Sequence, residues 1–306
     1  MTRRVTVLLG GASAEREVSL RSGAAAARAL EDAGYTVTMV DVSRDAEALA
    51  REVAASKPDV VFNALHGRFG EDGCVQGVLN LLGVPYTHSG LLASAAAMDK
   101  AFARGMFASA GIPIPEGRIV RKGGAKGDPM RRPYVVKPLN EGSSVGVYII
   151  RDGDNRRPLE DWPFEGDTVL VEQFIPGREI TVAVMGERVL GALEITSDRG
   201  FYDYEAKYAP GGSRHIVPAP LPGDYYDEAC RLALLAHQVL GCRGVSRADL
   251  RYDDTRPGLS PRLYVLEVNT QPGLTTTSLV PEIAAHAGID FPDLVRWMVE
   301  NAACDV

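Results

Sequence analysis

The stretch Val5-Thr-Val-Leu-Leu-Gly-Gly-Ala-Ser13 decides the N-terminal fold, because a short apolar run ends there in two glycines. An alanine-rich segment of helical character, Ala14–Leu30, follows it, and Thr36–Val40 alternates as a strand does. A strand, a glycine turn and a helix in this order predict the start of a parallel sheet. The Gly11–Ser13 turn would direct backbone N–H groups at a bound ligand.

The same alternation continues to about residue 95. The next predicted elements are a helix, a buried strand and a helix: Asp45–Ala55, Asp59–Leu65 and Cys74–Leu82. Strands that alternate with helices favour a parallel sheet covered on both faces. We therefore expect an α/β N-terminal domain.

The chain changes character after a helix predicted over Lys100–Ala110. Arg121–Pro133 is glycine-rich and basic, which is typical of a linker, a mobile loop or a solvated hairpin tip. Short connections predict antiparallel pairing among five runs, Tyr134–Lys137, Val145–Ile150, Val169–Phe174, Glu179–Met185 and Arg188–Ile195. The next elements are a helix and two strands, Tyr225–Leu240, Gly244–Tyr252 and Arg262–Asn269. This second part is predicted to be α+β in two lobes.

The composition excludes several classes of protein. The 306 residues are 45% hydrophobic and 24% charged. With 33 Lys and Arg against 40 Asp and Glu, the chain lacks the excess positive charge that favours nucleic-acid binding. Val75–Met98 lacks charged residues but contains Asn80, Pro85 and His88, which indicates a buried soluble segment and not a membrane span. The scattered thiols indicate a reducing compartment, and we expect a cytoplasmic location. They are Cys74, Cys230, Cys242 and Cys304.

Two predicted strands carry polar residues at a spacing of two. Alternation places Arg247 and Asp249 on one strand face, and Glu267 and Asn269 on another. If these strands are neighbours, two carboxylates, an amide and a guanidinium share one surface. Hard oxygen ligands on rigid strands suit Mg²⁺ better than zinc. The alternative is a set of exposed strand charges, which fits poorly with the apolar run Leu263–Val268.

Two further segments are candidates for ligand binding. Asn140–Gly146 has small residues whose N–H groups can surround an anion, and Lys137 stands beside it. The alternative for this segment is a plain hairpin loop, and it lacks the P-loop pattern. Asp198–Arg214 contains four aromatic residues between glycines, which indicates a lid or binding loop, with core packing as the alternative.

Three polar residues lie at the predicted carboxyl edge of the parallel sheet. His66 and Glu71 follow a buried strand, and Glu15 lies just beyond the first glycine turn. Ligands of α/β sheets bind at this edge. The alternatives are a structural histidine and a first-turn acid favoured by the helix dipole.

The chain resembles the D-alanine–D-alanine ligases of the ATP-grasp superfamily. The matching strings run in the family's order from residue 5 to about residue 280. They are Leu8-Leu-Gly-Gly-Ala-Ser-Ala-Glu-Arg-Glu-Val-Ser19, Ala64-Leu-His-Gly-Arg68, Met98-Asp-Lys100, Val136-Lys-Pro138, Glu141-Gly-Ser-Ser-Val-Gly146, Tyr202-Asp-Tyr-Glu-Ala-Lys-Tyr208, Arg247-Ala-Asp249, Glu267-Val-Asn-Thr270, Pro272-Gly-Leu-Thr275 and Ser278-Leu279.

The resemblance implies an ATP-grasp fold preceded by a Rossmann-like domain. It implies a substrate-binding domain over 1–96, a central lobe over 97–176 and a C-terminal lobe over 177–306 with a lid loop at 198–214. The implied reaction joins two D-alanines at the expense of ATP, through a D-alanyl phosphate, for peptidoglycan precursors. Relatives are commonly homodimers, so we expect a homodimer.

The resemblance also implies the substrate-binding residues. Glu15 would hold the ammonium group of the first D-alanine, and His66 would face its carboxylate side. Ser143 would connect Glu15 to Tyr208 in the lid loop. Arg247 and the Gly273 N–H would form an oxyanion site. Ser278 and the Leu279 N–H would bind the carboxylate of the second D-alanine.

The implied nucleotide site has three parts. The phosphates would contact Lys100, Lys137 and Lys207. Two Mg²⁺ ions, with Mn²⁺ as a substitute metal, would be held by Asp249, Glu267 and Asn269. The adenine would meet the hinge residues Glu172, Gln173 and Ile175, and the ribose would meet Glu179. Activation by a monovalent cation is left open.

Some positions depart from the family pattern, and alternative functions stay open. The unusual residues are Phe69 beside His66, Gln173 in the hinge, and Gln271 and Thr277 in the loop around the second D-alanine. A D-alanine–D-lactate or D-alanine–D-serine ligase would share the site, although Tyr208 favours the dipeptide. A second alternative, from another class, is a dinucleotide-binding dehydrogenase, but this chain lacks the full glycine pattern of such enzymes. A nucleotide-binding regulator without catalysis is a third alternative.

Overall fold

A parallel three-stranded sheet forms the N-terminal domain, as predicted. The computed structural model describes residues 3–124, 127–142, 146–196, 212–275 and 277–305. The strands are β1 (Arg4–Gly10), β2 (Thr36–Val42) and β3 (Val60–Asn63), in the order β2-β1-β3. The helices are α1 (Arg16–Asp32), α2 (Ala46–Ser56) and α3 (Cys74–Leu82).

Helices cover both faces of this sheet. Val7 of β1 is buried in a core shared with α1, whereas its neighbour Leu8 is buried in a core shared with α2 and α3. Two covered faces explain why β1 is a nearly continuous apolar run. The glycine turn after β1 therefore opens at the uncovered carboxyl edge of the sheet.

The uncharged stretch after β3 forms two short helices. These are α3 and α4 (Leu91–Met98), and α5 (Lys100–Ser109) follows directly. Asp99 separates the last two helices, because its carboxylate accepts a hydrogen bond from the Phe102 N–H (2.9 Å) and caps α5. Across the described parts of the chain, no helix has both the length and the apolar character needed to cross a membrane.

The central lobe contains an antiparallel four-stranded sheet in the order β4-β7-β5-β6. Its strands are β4 (Gly117–Arg121), β5 (Tyr134–Pro138), β6 (Tyr148–Ile150) and β7 (Thr168–Gln173), with α6 at Pro158–Asp161. The predicted linker begins too early, because Arg121 pairs with Thr168 in this sheet. Asp128 and Arg132, in the same segment, form an ion pair of 2.7 Å.

The C-terminal lobe contains an antiparallel five-stranded sheet in the order β10-β9-β8-β11-β12. Its strands are β8 (Arg178–Met185), β9 (Arg188–Thr196), β10 (Arg214–Ile216), β11 (Val245–Asp253) and β12 (Arg262–Asn269). Its helices are α7 (Gly223–Val239), α8 (Leu279–His286) and α9 (Phe291–Glu300). Val182 packs toward α7 and Ala183 toward α8, so this sheet also has a helix on each face. Most of the loop predicted at 198–214 lies outside the described residues.

The N-terminal domain and the C-terminal lobe share one hydrophobic core. Phe62 of β3 and Leu294 of α9 belong to the same buried cluster. Ala303 then forms a bridge to Tyr86, and the Asp305 carboxylate accepts a hydrogen bond from the Leu91 N–H (2.8 Å). These contacts fix the carboxyl edge of the first sheet relative to β11 and β12.

Candidate functional site

Strands β11 and β12 place the four predicted polar residues on one surface. Asp249 lies opposite Glu267, and Arg247 lies opposite Asn269, as the strand alternation led us to expect. Both oxygens of Asp249 accept hydrogen bonds from the Arg247 guanidinium (2.8 and 2.7 Å). Thr181 of β8 donates a further hydrogen bond to Asp249 (2.6 Å). This surface therefore presents an oriented carboxylate beside a guanidinium.

Lys100 connects this surface to the central lobe. It is the first residue of α5, and its side chain is buried. Its Nζ donates to the Glu141 carbonyl (2.6 Å) and lies 3.8 Å from Glu267 Oε2. A lysine held between a loop carbonyl and a carboxylate provides positive charge at a fixed place.

Two cavities meet at Lys100. The first is lined by residues from the N-terminal domain and from the loop after β12, among them Glu15, His66, Arg247, Asn269, Gly273 and Ser278. The second lies between the two sheets and is lined by Lys137, Glu172, Gln173, Ile175, Glu179 and Asp249, among others. Both cavities include Lys100, Glu141, Gly142 and Glu267. Groups bound in the two cavities can therefore meet at their junction.

The N-terminal wall of the first cavity is built around Ser13. Its hydroxyl donates to the His66 carbonyl (2.6 Å) and accepts from the Glu15 N–H (3.2 Å). Gly67 has a φ of +70°, and a Cβ there would lie 2.8 Å from Glu15 Oε2. Only glycine fits this position without displacing the Glu15 carboxylate.

Burial shifts the pKa values of two titratable groups in this wall. Burial lowers the pKa of His66, so its imidazole is neutral at neutral pH. Burial and the nearby Glu15 charge raise the pKa of Glu71 well above its usual value. His66 Nδ1 and Glu71 Oε2 are 4.0 Å apart. The wall therefore presents a neutral imidazole beside a buried carboxyl group that is harder to ionise than usual.

The opposite wall of the first cavity is the start of α8. Ser278 precedes the helix, and its hydroxyl accepts a hydrogen bond from the Thr275 N–H (2.9 Å). A Cβ at Gly273 would lie 3.0 Å from Ser278 Oγ, so the two residues are close neighbours. The first N–H groups of a helix, including that of Leu279, favour an anion. This wall suits a carboxylate.

A buried ion-pair cluster supports the second cavity. Glu172 is 2% exposed, and its carboxylate pairs with Lys137 and with Arg104 (3.0 Å to Nη1). Arg104 also donates to the Pro115 carbonyl (2.6 Å). Lys137, expected to face phosphates, and Glu172, expected to face adenine, are thus paired with each other. Arg104 was not among the predicted site residues, although its i+4 spacing from Lys100 places both on one helix face.

Arg251 is a second residue of the site that was not predicted. Its guanidinium donates to the carbonyls of Ile175 (3.1 Å) and Gly177 (2.7 Å) and lies 3.4 Å from Glu179 Oε2. It therefore holds the predicted hinge and ribose residues against β11. Strand alternation from Arg247 and Asp249 reaches residue 251, so the same pattern could have found it.

The residues that depart from the family pattern occupy different places. Phe69 has a φ of +69°, and this left-handed backbone is supported by Asp72, which accepts from the Phe69 N–H (2.9 Å). The Arg44 guanidinium lies 4.6 Å from the centre of the Phe69 ring. Thr277 lines the first cavity, as expected. Gln271 lies in the loop after β12, and its side chain is buried against the N-terminal domain.

Three predicted site residues lie outside the described residues: Ser143, Lys207 and Tyr208. Among the residues that are described, no group of three or more His, Cys, Asp or Glu side chains is placed to hold a metal. The predicted Mg²⁺ ligands are two carboxylates and one amide, which is the small set of hard oxygen donors that Mg²⁺ uses when phosphates and water complete its shell.

Two family models match this chain. A family model described as the D-ala D-ala ligase C-terminus matches residues 106–300, and one described as the N-terminus matches residues 45–89. A D-alanine–D-alanine ligase of Paramagnetospirillum magneticum is 73% identical over 306 residues, which is 100% of both chains. A D-alanine–D-alanine ligase of Rhodospirillum rubrum is 58% identical and also covers 100% of both chains.

Solved structures agree with these sequence relatives. The structure of Bacillus anthracis D-alanine–D-alanine ligase complexed with ATP is 31% identical, with a TM-score of 0.83 over 98% of this chain and 97% of that one. A second structure of the same enzyme gives a TM-score of 0.84 at 32% identity, with the same coverage. The family models, the full-length relatives and the fold lead to one conclusion: the chain belongs to the D-alanine–D-alanine ligase family.

Proposed function

We propose that this ligase uses ATP to join two D-alanines through a D-alanyl phosphate intermediate. The observation that carries the proposal is the junction of two cavities at Lys100 and Glu267. One cavity has the groups that amino-acid substrates need, and the other lies between the two sheets of the family fold. Transfer of a phosphoryl group between bound molecules requires such a junction.

In this proposal the first cavity holds both amino acids. Glu15 binds the ammonium group of the first D-alanine, and the neutral His66 faces its carboxylate side. Ser278 and the Leu279 N–H bind the carboxylate of the second D-alanine. Arg247 and the Gly273 N–H stabilise the negative charge that develops when the second amine attacks the acyl phosphate. Ser143 would connect Glu15 to Tyr208 and so orient the lid loop over the substrates.

The second cavity holds the nucleotide in this proposal. Glu172, Gln173 and Ile175 meet the adenine, Glu179 meets the ribose, and Arg251 supports the hinge between them. The phosphates lie toward three lysines, Lys100, Lys137 and Lys207. Bound Mg²⁺ would neutralise phosphate charge, and its ligands would be Asp249, Glu267 and Asn269. The opposition of Asp249 and Glu267 across β11 and β12 supports this choice.

Two of the earlier alternatives are wrong, because the chain is a ligase: the dehydrogenase and the regulator without catalysis. A D-alanine–D-lactate or D-alanine–D-serine ligase remains the alternative for the second substrate. We keep the division into domains at 1–96, 97–176 and 177–306, which the three separate sheets support.

We also propose a homodimer formed through α3 and α4. The exposed fractions of Leu81 and Leu92 are 91% and 74%, and Leu91 is 39% exposed. Large apolar side chains on neighbouring helices favour burial against a second copy, because a C₂ interface uses the same surface twice.

The first test is product identification. With Mg·ATP and D-alanine, we expect phosphate release and D-alanyl-D-alanine by mass spectrometry, and neither with L-alanine. Glu267→Gln should reduce turnover by at least about 100-fold, because the phosphates and metal lose a shared ligand. Glu187→Gln, at an exposed turn, is the matched control. A further assay supplies D-alanine and D-lactate together, and a folded wild type that then makes D-alanyl-D-lactate in preference to the dipeptide would overturn the proposed acceptor.

A further inference from the structure

We propose that Gln271 is a positioning residue that sets the distance between the two D-alanine subsites. Its side chain fixes the loop after β12 to the N-terminal domain. The proposal rests on the proposed function, because it concerns the placement of the two substrates in that reaction.

The contacts of Gln271 cross between two parts of the fold. Asn63 Nδ2 donates to Gln271 Oε1 (3.0 Å), and Gln271 Nε2 donates to the Leu65 carbonyl. Gln271 Nε2 is also 3.5 Å from the Gly70 carbonyl. Gln271 and Asn63 are 1% and 0% exposed. Donor and acceptor of one buried amide are thus both used across the domain boundary.

Each end of this bridge leads directly to a substrate subsite. Leu65 precedes His66, and Gly70 precedes Glu71, and both of these side chains line the first cavity. On the other side, the Gln271 N–H donates to Asn269 Oδ1 (2.8 Å). The Gly273 and Ser278 residues of the same cavity lie a few positions further along the chain.

The geometry gives the bridge a role in the reaction. The first D-alanine is held by the N-terminal domain and the second by the start of α8, so bond formation depends on how these two walls are spaced. A displacement of about 1 Å between reacting groups can cost about 100-fold in rate. The Gln271 bridge opposes such a displacement. If the loop after β12 moved away from the N-terminal domain, buried donors and acceptors would lose their hydrogen-bond partners, which is costly.

Gln76 offers a matched control for a purely structural role. It is also 1% exposed, and its Nε2 donates to the same Gly70 carbonyl (3.0 Å). Both partners of that hydrogen bond belong to the N-terminal domain. Replacement of Gln76 therefore disturbs the same carbonyl without releasing the loop after β12.

The experiment compares Gln271→Met with Gln76→Met, because methionine keeps the length of glutamine without its hydrogen bonds. In Gln271→Met we expect kcat/KM for D-alanine to fall at least about tenfold, chiefly through kcat, with the KM for ATP within about twofold of wild type. In Gln76→Met we expect both constants to stay within about twofold. Thermal unfolding of both variants shows whether the assays are made on folded protein.

A second variant covers the case in which Gln271→Met does not fold. Gln271→Glu keeps the acceptor for Asn63 and loses the donor to Leu65, and we expect the same selective loss of kcat/KM for D-alanine. An equal loss in the Gln271 and Gln76 variants, or an unchanged kcat/KM for D-alanine in a folded Gln271 variant, would overturn the inference. A wild type without dipeptide formation would instead overturn the proposed function.

Discussion

Arg104 shows how one side chain can determine the charge balance of a cavity wall. It shares the buried carboxylate of Glu172 with Lys137, so two cations face one anion beneath the second cavity. A buried carboxylate that loses a partner is costly, because the remaining charge is poorly solvated.

We therefore expect Arg104→Met to lower the free energy of unfolding by about 3 kcal/mol. It should also raise the KM for ATP, because Lys137 is then held more strongly by Glu172. Urea unfolding and steady-state kinetics measure the two effects. Arg118→Met, at an exposed position of β4, is the control and should change neither quantity. An Arg104 variant as stable as wild type would show that this ion pair adds nothing to stability.

Single residues were predictable where a strand pattern placed them. The juxtaposition of Asp249 and Glu267 follows from alternation plus one assumption about neighbouring strands, and the structure contains it. The pairing of Arg104 with Glu172 could not be predicted, because these residues are 68 positions apart and meet only in the folded chain. The side-chain partners of Gln271 could not be predicted for the same reason, since they belong to another domain.

Among the elements, α3 and α4 carry the apolar surface assigned to the dimer. Their exposed leucines belong to helices that are otherwise well packed, with Leu79 and Ala93 buried. The burial of such side chains contributes roughly 2 kcal/mol each, so two per subunit are significant for a C₂ interface.

We expect wild type to sediment as a dimer in analytical ultracentrifugation, and the double variant Leu81→Asp, Leu92→Asp to sediment as a folded monomer. A charge on this face must be desolvated on association, which opposes the interface. Leu259→Asp provides a control, because Leu259 is 62% exposed in the turn between β11 and β12. A double variant that remains dimeric would place the interface elsewhere.

Most elements followed from apolar periodicity, and their ends were less accurate. The Cys74–Leu82 helix and the Arg262–Asn269 strand have the predicted bounds. The strand β4 and the helix α4 were missed. Three residues of β4 are polar or glycine, and α4 is alanine-rich without an apolar stripe, so neither has a clear period.

The whole molecule has an acid sensitivity that arises from buried histidines. Burial lowers the pKa of His237 to about 4 and that of His88 to about 3. His237 Nδ1 is 2.7 Å from Ser246 Oγ in the core beneath α7. The unfolded chain binds more protons than the folded one between these values and about 6.5, so stability falls as the pH decreases through this window.

We expect His237→Gln to reduce this pH dependence. Wild type should lose up to about 3 kcal/mol more than the variant between pH 7 and pH 4, since each pH unit of the window contributes about 1.4 kcal/mol. Urea unfolding at a series of pH values measures it. His286→Gln, at an exposed position of α8, should keep the wild-type slope. Parallel slopes for all three proteins would show that His237 is not responsible.

For the whole molecule, the sequence predicted the order of the lobes but not the core contacts that join them. The parallel and antiparallel sheets follow from the spacing of the strands along the chain. The core shared by Phe62 and Leu294 does not, because an apolar helix face is equally consistent with any apolar partner.

The return of the chain to the first sheet has a consequence for biosynthesis. Tyr86 and Asp305 are 219 residues apart in sequence and are joined by a hydrogen bond of 3.1 Å. When a ribosome has made the N-terminal domain, the segment that covers Tyr86 and caps α4 has not yet been translated. The first domain to emerge therefore waits for the last residues of the chain to complete its surface.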